Sequence, residues 1–265
     1  MKVFFKRLIL RILKFNKIRR AIEIALKEIP KTQTISHKEV SLQLTTENFI
    51  AKYRAETFAS KEPMTLSWIE TFKKDSIFWD IGANVGIYSI YASKSKKIRT
   101  VAFEPSVFNL EILVRNIILN SLEDQIIVIP LSLNNSKTVS QFMLSSRENG
   151  AALSSFAHQI DQHGDKLNFK DKYLTIGSDI DSLITDYRLK QPDYIKIDVD
   201  GIEYFILQGG VNTLSKVKEI LVEVSHSSKF TNKISEFFTR LGFILDRSEN
   251  LSDNQSNQIW VKKRQ

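Results

Sequence analysis

Short apolar runs alternate with amphipathic segments from residue 77 to the C-terminus. Seven runs have strand length and predict strands over 77–80, 100–103, 126–129, 194–198, 219–224, 243–246 and 258–261. Apolar residues at helical spacing predict helices over 87–94, 107–120, 204–214 and 228–241. This alternation is typical of a doubly wound α/β fold, with a mostly parallel seven-stranded sheet and helices on both faces. The last two strands follow each other without a long helix, which indicates an antiparallel strand at the sheet edge.

Two regions depart from this alternation. Residues 31–75 are predicted to form a helical lead-in, with one helix around 64–72. Residues 133–178 are polar and too long for an ordinary connection, so we expect an irregular insertion that forms a lid or a wall of the substrate site. The chain therefore divides into an N-terminal segment (1–30), the lead-in (31–75) and a main domain (76–265) that contains the insertion.

The N-terminal segment has apolar residues at helical spacing with basic residues between them, which predicts a basic amphipathic helix over 3–26 that ends before Pro30. Its apolar runs are too short to span a bilayer or to act as a signal peptide. Two interpretations stay open. Residues 1–28 lie on an anionic membrane surface, or the helix packs on the main domain with a solvated basic face.

Charge and cysteine content narrow the functional classes. The 265 residues carry a net charge of +8, and residues 1–20 hold eight basic residues and no acidic one. Removing these eight from 38 leaves 30 basic residues, matched by 30 acidic ones, so no nucleic-acid partner is expected. The absence of cysteine excludes disulfides, thiolate metal sites and a cysteine nucleophile, and it suits a cytoplasmic location.

One glycine loop carries the clearest chemical signal. Asp80, Gly82, Asn84 and Gly86 form Asp-x-Gly-x-Asn-x-Gly between a predicted strand and a predicted helix. The glycines let the backbone turn sharply and approach a ligand closely. Asp80 can pair with an ammonium group, and the helix N-terminus can bind a carboxylate, as a zwitterionic amino-acid moiety requires. The spacing differs from the Gly-x-Gly-x-x-Gly loop of dinucleotide sites; an ordinary glycine-containing turn is the alternative.

The next predicted strand ends at Glu104 and Pro105. An acid at this position can accept hydrogen bonds from both hydroxyls of a ribose, and the alternative is a surface glutamate at a turn. We include Pro105 and Ser132, near the ends of the second and third strands, among the candidate cofactor contacts.

These motifs resemble those of the FkbM-type methyltransferases over roughly residues 60–225. The resemblance rests on five segments in order: Asp80–Gly86, Phe103-Glu104-Pro105, Arg115-Asn116-x-x-x-Asn120, Ile180-Asp181-Ser182-Leu183, and Lys196-Ile197-Asp198-Val199-Asp200-Gly201-Ile202-Glu203. It implies the Rossmann-like class I methyltransferase fold, S-adenosylmethionine as methyl donor, and O-methylation of sugar or polyketide-type hydroxyls. Asp200 departs from the family pattern, where glutamate is more usual, but keeps a carboxylate.

The fourth predicted strand supplies the candidate catalytic residues. Lys196, Asp198 and Asp200 start on one face of that strand, and a lysine inside a buried strand needs an acidic partner, either Asp198, Asp80 or Glu223. Methyl transfer to an alcohol requires alignment of the oxygen and removal of its proton. Asp198 is the first candidate for this base. Lys196 either adjusts the basicity of Asp198 or forms a purely structural ion pair.

Two further residues are catalytic candidates. Glu203 lies near the same rim, and His226 follows the fifth strand, where it is either a base or an ordinary loop histidine. A divalent ion is an open alternative, since Asp198, Asp200 and Glu203 offer hard oxygen ligands.

The favoured interpretation is an O-methyltransferase acting on a saccharide, a glycolipid or polysaccharide precursor, or a similar small molecule, at the inner face of the membrane or free in the cytoplasm. The alternatives are an N-methyltransferase and a non-catalytic methyltransferase-like binding module. Nucleobase-amine enzymes usually carry an Asn/Asp-Pro-Pro-aromatic motif after the fourth strand. This chain has Asp198-Val199-Asp200-Gly201 there, which disfavours such an enzyme.

Overall fold

The computed structural model describes residues 15–27, 31–160, 166, 169 and 171–263. Its helices are α1 (Asn16–Lys27), α2 (Phe49–Glu56), α3 (Phe58–Lys61), α4 (Pro63–Glu70), α5 (Ile87–Lys96), α6 (Val107–Leu119), α7 (Ile180–Tyr187), α8 (Glu203–Gln208), α9 (Val211–Leu214) and α10 (Thr231–Arg240). Its strands are β1 (Thr32–His37), β2 (Val40–Thr45), β3 (Ile77–Ile81), β4 (Arg99–Phe103), β5 (Ile126–Ile129), β6 (Ser132–Leu133), β7 (Thr138–Leu144), β8 (Ser155–Phe156), β9 (Asp171–Ser178), β10 (Tyr194–Ile197), β11 (Glu219–Ser225), β12 (Phe243–Ser252) and β13 (Gln255–Lys262).

The main sheet has seven strands in the order β12-β13-β11-β10-β3-β4-β5, which confirms the predicted fold class. The central strands pair in parallel, from β11 through β10, β3 and β4 to β5. The antiparallel strand is β13, which lies one position inside the edge and pairs with both β11 and β12. The prediction that the antiparallel strand lies at the edge of the sheet is therefore wrong. The chain reverses again between β12 and β13, so the edge strand β12 runs in the same direction as β11.

Residues that follow each other along the central strands pack on opposite faces. Phe78 and Tyr194 join an apolar cluster under α4 and α5, whereas Trp79 and Ile195 join the cluster under α8 and α10. Burial on both faces explains why the strands are continuously apolar in sequence. It also places Lys196, two residues after Tyr194, on the face covered by α4 and α5.

The lead-in begins with a β-hairpin, not a helix. β1 and β2 pair antiparallel over 32–45, and Leu42 and Leu44 face the core. The helical prediction for this part of 31–75 is therefore wrong, because the apolar residues of β2 alternate with period two, which is the strand pattern. The hairpin docks on α6 through two asparagines of the sequence motif: Asn116 Oδ1 accepts from Thr45 N (2.7 Å), and Asn120 Oδ1 accepts from Gln43 N (3.0 Å).

The insertion contains a second sheet with the order β6-β9-β7-β8, so the prediction of an irregular segment is also wrong. Leu174 and Ile176 of β9 face solvent, whereas Gly177 and Ser178 are buried. The strand therefore presents no buried apolar stripe that its sequence could reveal. The helix predicted over 204–214 is split into α8 and α9 at Gly209 and Gly210.

The described part of the N-terminal segment contains α1, which overlaps the predicted helix from residue 16 to residue 26. Residues 1–14 and 28–30 of the segment, and with them residues 3–14 of the predicted helix, lie outside the described residues. Within the described residues, every helix is either too short or too polar to traverse a lipid bilayer.

Candidate active site

The glycine loop follows β3 and lies against the end of β10. Gly82 has φ +86°, and a Cβ atom there would lie 1.9 Å from the carbonyl oxygen of Asp198. Any side chain at this position would therefore push the two strand ends apart. Asn84 adopts the same left-handed region (φ 51°). Gly86 (φ 82°) begins α5 and packs against Leu113 of α6.

Glu104 joins the two predicted cofactor motifs. Its carboxylate accepts hydrogen bonds from the backbone N–H groups of Asn84 (2.8 Å) and Ser106 (2.8 Å), and the side chain is buried. Burial raises the pKa of Glu104 to about 7, although these two backbone bonds favour the ionised form. The glycine loop and the end of β4 therefore meet at one carboxyl group.

A cleft opens above these two motifs, and we call it cleft A. Its volume, including the opening to solvent, is about 590 Å³. Its polar lining includes Asn84, Glu104 and Ser132. Its apolar lining includes Leu133, Phe142, Phe156, Ile202 and Ile206, with Pro105 beside them. Such a combination of an apolar slot and an acid suits a nucleoside, with the base in the slot and its ribose at the carboxylate.

Orphaned polar atoms support this fit. Among the described residues, Asn84 Oδ1 and Ser132 Oγ are buried and have no hydrogen-bond partner. Buried polar atoms are normally paired, so both atoms are available to a ligand in cleft A. Asp80 differs, since it lies beneath α5 and accepts a bond from Ser89 Oγ (2.6 Å), while its Oδ1 has no partner within the described chain. Burial raises the pKa of Asp80.

Lys196 is fully buried and lies between two carboxylates. Its Nζ donates to Asp198 Oδ2 at 2.5 Å and lies 4.0 Å from Glu62 Oε2, 5.0 Å from the ring centre of Tyr88. Burial alone would lower the pKa of Lys196, but Asp198, Glu62 and Asp80 raise it well above the ordinary value. Burial raises the pKa of Asp198, but the charges of Lys196, Lys61 and Arg54, together with the hydrogen bond from Lys196, outweigh it and the net pKa is lowered. Both groups are therefore ionised at neutral pH.

A second cleft of about 810 Å³, called cleft B here, is lined by Arg54, Lys61, Asp198, Asp200, Glu223 and Gln255, among others. Clefts A and B share Gly82, Asn84, Ala152, Asp198 and Asp200. Asp198 therefore lies where the two clefts meet, half-buried at the end of β10. Asp200 (φ 61°) accepts a bond from Leu153 N (2.7 Å), which fixes the insertion at the same junction.

The candidate metal ligands are grouped differently from the sequence prediction. Carboxylate oxygens of Asp198, Asp200 and Glu223 all lie within 4.8 Å of one another, close enough to hold one divalent cation. Burial, together with the neighbouring acids, raises the pKa of Asp200 to about 6 and that of Glu223 to about 9. Glu203 is not part of this group, because its Oε1 accepts the backbone N–H groups of Val199 (3.2 Å) and Gly201 (3.0 Å).

Two of the candidate catalytic residues lie apart from the junction. Glu203 holds the loop that follows Asp198, and burial raises its pKa to about 7. His226 is exposed and its Nε2 lies 2.9 Å from Ser256 Oγ. Neither residue lines cleft A or cleft B.

Sequence reasoning missed the contributions of the lead-in and of the insertion. Glu62 and Arg54 reach the junction from helices outside the recognised motifs, and no local pattern marks them. Asn109 was also missed: its side chain bonds Gly150 N (2.8 Å) and Ala151 O (3.1 Å), so it holds the insertion over cleft A. The sequence feature that could have indicated this role is the position of Asn109, one helical turn after Ser106 at the start of α6.

Comparison with known proteins is consistent with this geometry. The profile of the family described as "Methyltransferase FkbM domain" matches residues 80–245. The hexuronic acid methyltransferase AglP of Haloferax volcanii is 28% identical over 156 residues, which is 59% of this chain and 59% of that protein.

Two solved structures are also similar to this chain. The complex of aTrm5 and tRNALeu has a TM-score of 0.50 and 12% identity, covering 89% of this chain and 54% of that one. The precorrin-6y C5,15-methyltransferase of Geobacter metallireducens GS-15 has a TM-score of 0.47 and 16% identity, covering 77% and 87%.

Proposed function

Because the chain belongs to the FkbM methyltransferase family, we propose that it transfers a methyl group from S-adenosylmethionine to a hydroxyl oxygen of a sugar or sugar-containing precursor. The observation that carries this proposal is the position of Asp198 at the meeting point of clefts A and B. A donor in cleft A and an acceptor in cleft B would face each other across this carboxylate. The sugar class is supported by the relative named as a hexuronic acid methyltransferase.

Cleft A fits the donor. Glu104 would accept hydrogen bonds from the ribose hydroxyls, and Asn84 Oδ1 and Ser132 Oγ supply unpaired polar atoms. Phe142, Phe156, Ile202 and Ile206 would cover the base. Asp80 and Gly82 place the loop whose backbone faces the amino-acid part. S-adenosylmethionine supplies an electrophilic methyl group on a sulfonium leaving group.

The residues at the junction would prepare the acceptor. The ionised Asp198 accepts a hydrogen bond from the hydroxyl group, which orients its lone pair towards cleft A. It would then take the hydroxyl proton as the new carbon–oxygen bond forms and the methyl–sulfur bond breaks, with the donor leaving as the neutral thioether S-adenosylhomocysteine. Lys196 holds the carboxylate in place and stabilises negative charge, and Glu62 balances Lys196 from below. Glu203 fixes the backbone after Asp198.

Methyl transfer to a panel of neutral and acidic saccharides tests this proposal. The measured quantities are S-adenosylhomocysteine release and the mass of the acceptor. Transfer that requires Asp198, with the exposed Asp246→Asn variant as the matched control, supports the O-methyltransferase. Donor binding without transfer to any hydroxyl favours the binding module, and transfer to an amine favours the N-methyltransferase.

We also propose that α1 places the enzyme on the cytoplasmic face of a membrane. Ile18, Ile22 and Ile24 of α1 and the preceding Phe15 are exposed. Lys17, Arg19 and Arg20 lie among them, and Glu23 is an acidic residue in the same helix. Co-sedimentation of the full chain with phosphatidylserine vesicles, but not with phosphatidylcholine vesicles, is expected, and Ile18→Asn with Ile22→Asn should weaken it. Equal recovery in the supernatant with both lipids would contradict the proposal.

A further inference from the structure

Two cationic side chains of the lead-in line cleft B beside the acidic group. Arg54 lies on α2 and Lys61 ends α3. Both residues precede the segment matched by the family profile. They therefore lie outside the segment that defines the family, and neither of them lines cleft A.

Arg54 is held in place by a backbone carbonyl and acts on Asp198 and Asp200 through its charge, without a direct ion pair among the described residues. Its Nε donates to the carbonyl oxygen of Gly150 at 2.8 Å, which fixes the plane of the guanidinium group. Among the residues that the structure describes, no carboxylate lies within 4.0 Å of this group. The terminal nitrogens therefore keep their donors for a ligand, and a planar fork suits carboxylate or phosphate oxygens.

Lys61 adds a second positive charge at the same cleft. Its Nζ lies 3.6 Å from Glu62 Oε1, and the side chain is about half exposed. Because Glu62 also faces the buried Lys196, its single charge is shared between two lysines. Lys61 is thus only partly compensated.

The acidic residues of cleft B prefer hydrogen-bond donors to anions. Asp198, Asp200 and Glu223 accept hydrogen bonds and suit the hydroxyl groups of a sugar. We infer that the acceptor is an anionic sugar, whose carboxylate or phosphate group binds Arg54 and Lys61 while its hydroxyls face the acidic residues. This inference rests on the proposed function and names the substrate class of the same site.

A neighbouring cleft of about 600 Å³ extends this surface beyond Arg54. It is lined by Ile50, Tyr53, Arg54, Lys61 and residues 150–153, and the Tyr53 side chain is exposed. An aromatic ring of this kind offers a face on which a sugar ring can lie. The anionic group would then bind at Arg54, and the part of the acceptor beyond this group would lie against Tyr53.

Equilibrium titrations of the full chain, saturated with S-adenosylhomocysteine, test the inference. The probes are D-glucuronic acid, glucose 6-phosphate and glucose, which share their ring hydroxyls. Both anionic sugars are expected to bind at least about tenfold more tightly than glucose. The stronger of the two identifies the source of the negative charge as carboxylate or phosphate.

Variants of Arg54 and Lys61 test whether these two residues cause the preference for anionic sugars. Arg54→Gln should weaken anionic binding by about 10-fold or more and leave glucose and S-adenosylhomocysteine affinity unchanged, and Lys61→Gln should weaken it several-fold. Arg54→Lys, which keeps the charge without the fork, should recover part of the loss. Lys52→Gln, an exposed lysine on the same helix, is the control and should have no effect.

The outcomes separate this inference from the proposed function. Equal affinity for all three sugars, no sugar binding at all, or a loss in Arg54→Gln no larger than in Lys52→Gln would overturn the inference. Equal affinity would still leave the sugar methyltransferase intact. If S-adenosylhomocysteine does not bind but the anionic preference and its dependence on Arg54 persist, the proposed function fails and the anion site stands.

Discussion

Lys196 Nζ donates to Asp198 Oδ2 over 2.5 Å, and this contact connects the buried interior of β10 to the point where both clefts meet. Lys196 is fully buried, whereas Asp198 is only about four-fifths covered. The lysine therefore remains inaccessible to substrate but sets the charge and direction of Asp198, one of the two carboxylates, with Asp200, that line both clefts.

Removal of Lys196 should destabilise the fold. In Lys196→Met, the buried Glu62 and Asp198 lose their shared counter-charge, which typically costs about 3–5 kcal/mol. Lys218→Met is the control, because Lys218 pairs with Asp193 at the surface and should lose about 1 kcal/mol or less. Urea unfolding at neutral pH measures both. Equal losses in the two variants would show that the Lys196 charge is not needed for stability.

Asp198 and His226 should differ sharply in activity. Asp198→Asn removes the proton acceptor at the junction and should lower kcat by about 10²–10⁴-fold. His226→Gln should change kcat by less than about twofold, since the imidazole is exposed and lies outside both clefts. Initial rates at saturating donor decide between them; a larger defect in His226→Gln would assign the base to the histidine.

Donor affinity should depend on the ionisation of Glu104. Burial raises the pKa of Glu104 to about 7, and only its ionised form can accept bonds from both ribose hydroxyls. The apparent Kd for S-adenosylmethionine should therefore rise by about tenfold as pH falls from about 8 to 6. The Glu104→Gln variant should lack this change of the apparent Kd with pH. Parallel pH profiles of the two proteins would contradict the role of the carboxylate.

The hairpin should depend on Asn116. Asn116→Ala leaves Thr45 N–H and Val85 C=O without their partner in a buried position, which should cost about 1–3 kcal/mol. Arg115→Ala, whose ion pairs are exposed, is the neighbouring control and should cost about 1 kcal/mol or less. Thermal unfolding of both variants is the measurement, and a smaller effect for Asn116 than for Arg115 would contradict the docking described above.

The main sheet and the meeting of the glycine loop with Glu104 at its edge could be predicted because their signals are local. Buried parallel strands are uniformly apolar, and Asp80, Gly82 and Glu104 occur at strand ends where ligands bind. The pairing of Lys196 with Asp198 follows from alternation along one strand. Each of these features needs only a short stretch of sequence to be visible.

The remaining parts depend on tertiary contacts. Glu62, Arg54 and Asn109 become functional candidates only because the lead-in and the insertion pack against the junction. Glu203 and Glu223 are indistinguishable in sequence, but the first turns back to its own loop and the second faces Asp198 and Asp200. Whether a glutamate caps a backbone turn or joins a carboxylate cluster is decided by side-chain direction, which the sequence does not encode locally.

Calorimetric titration of S-adenosylmethionine at pH 8 tests the central claim most directly. Wild-type protein should bind the donor, Glu104→Ala should bind it about 10–100-fold more weakly, and the exposed Glu111→Ala control should be unchanged. Circular dichroism confirms that each variant is folded. The absence of binding by the folded wild-type protein, or equal affinity in all three proteins, would contradict a donor site in cleft A.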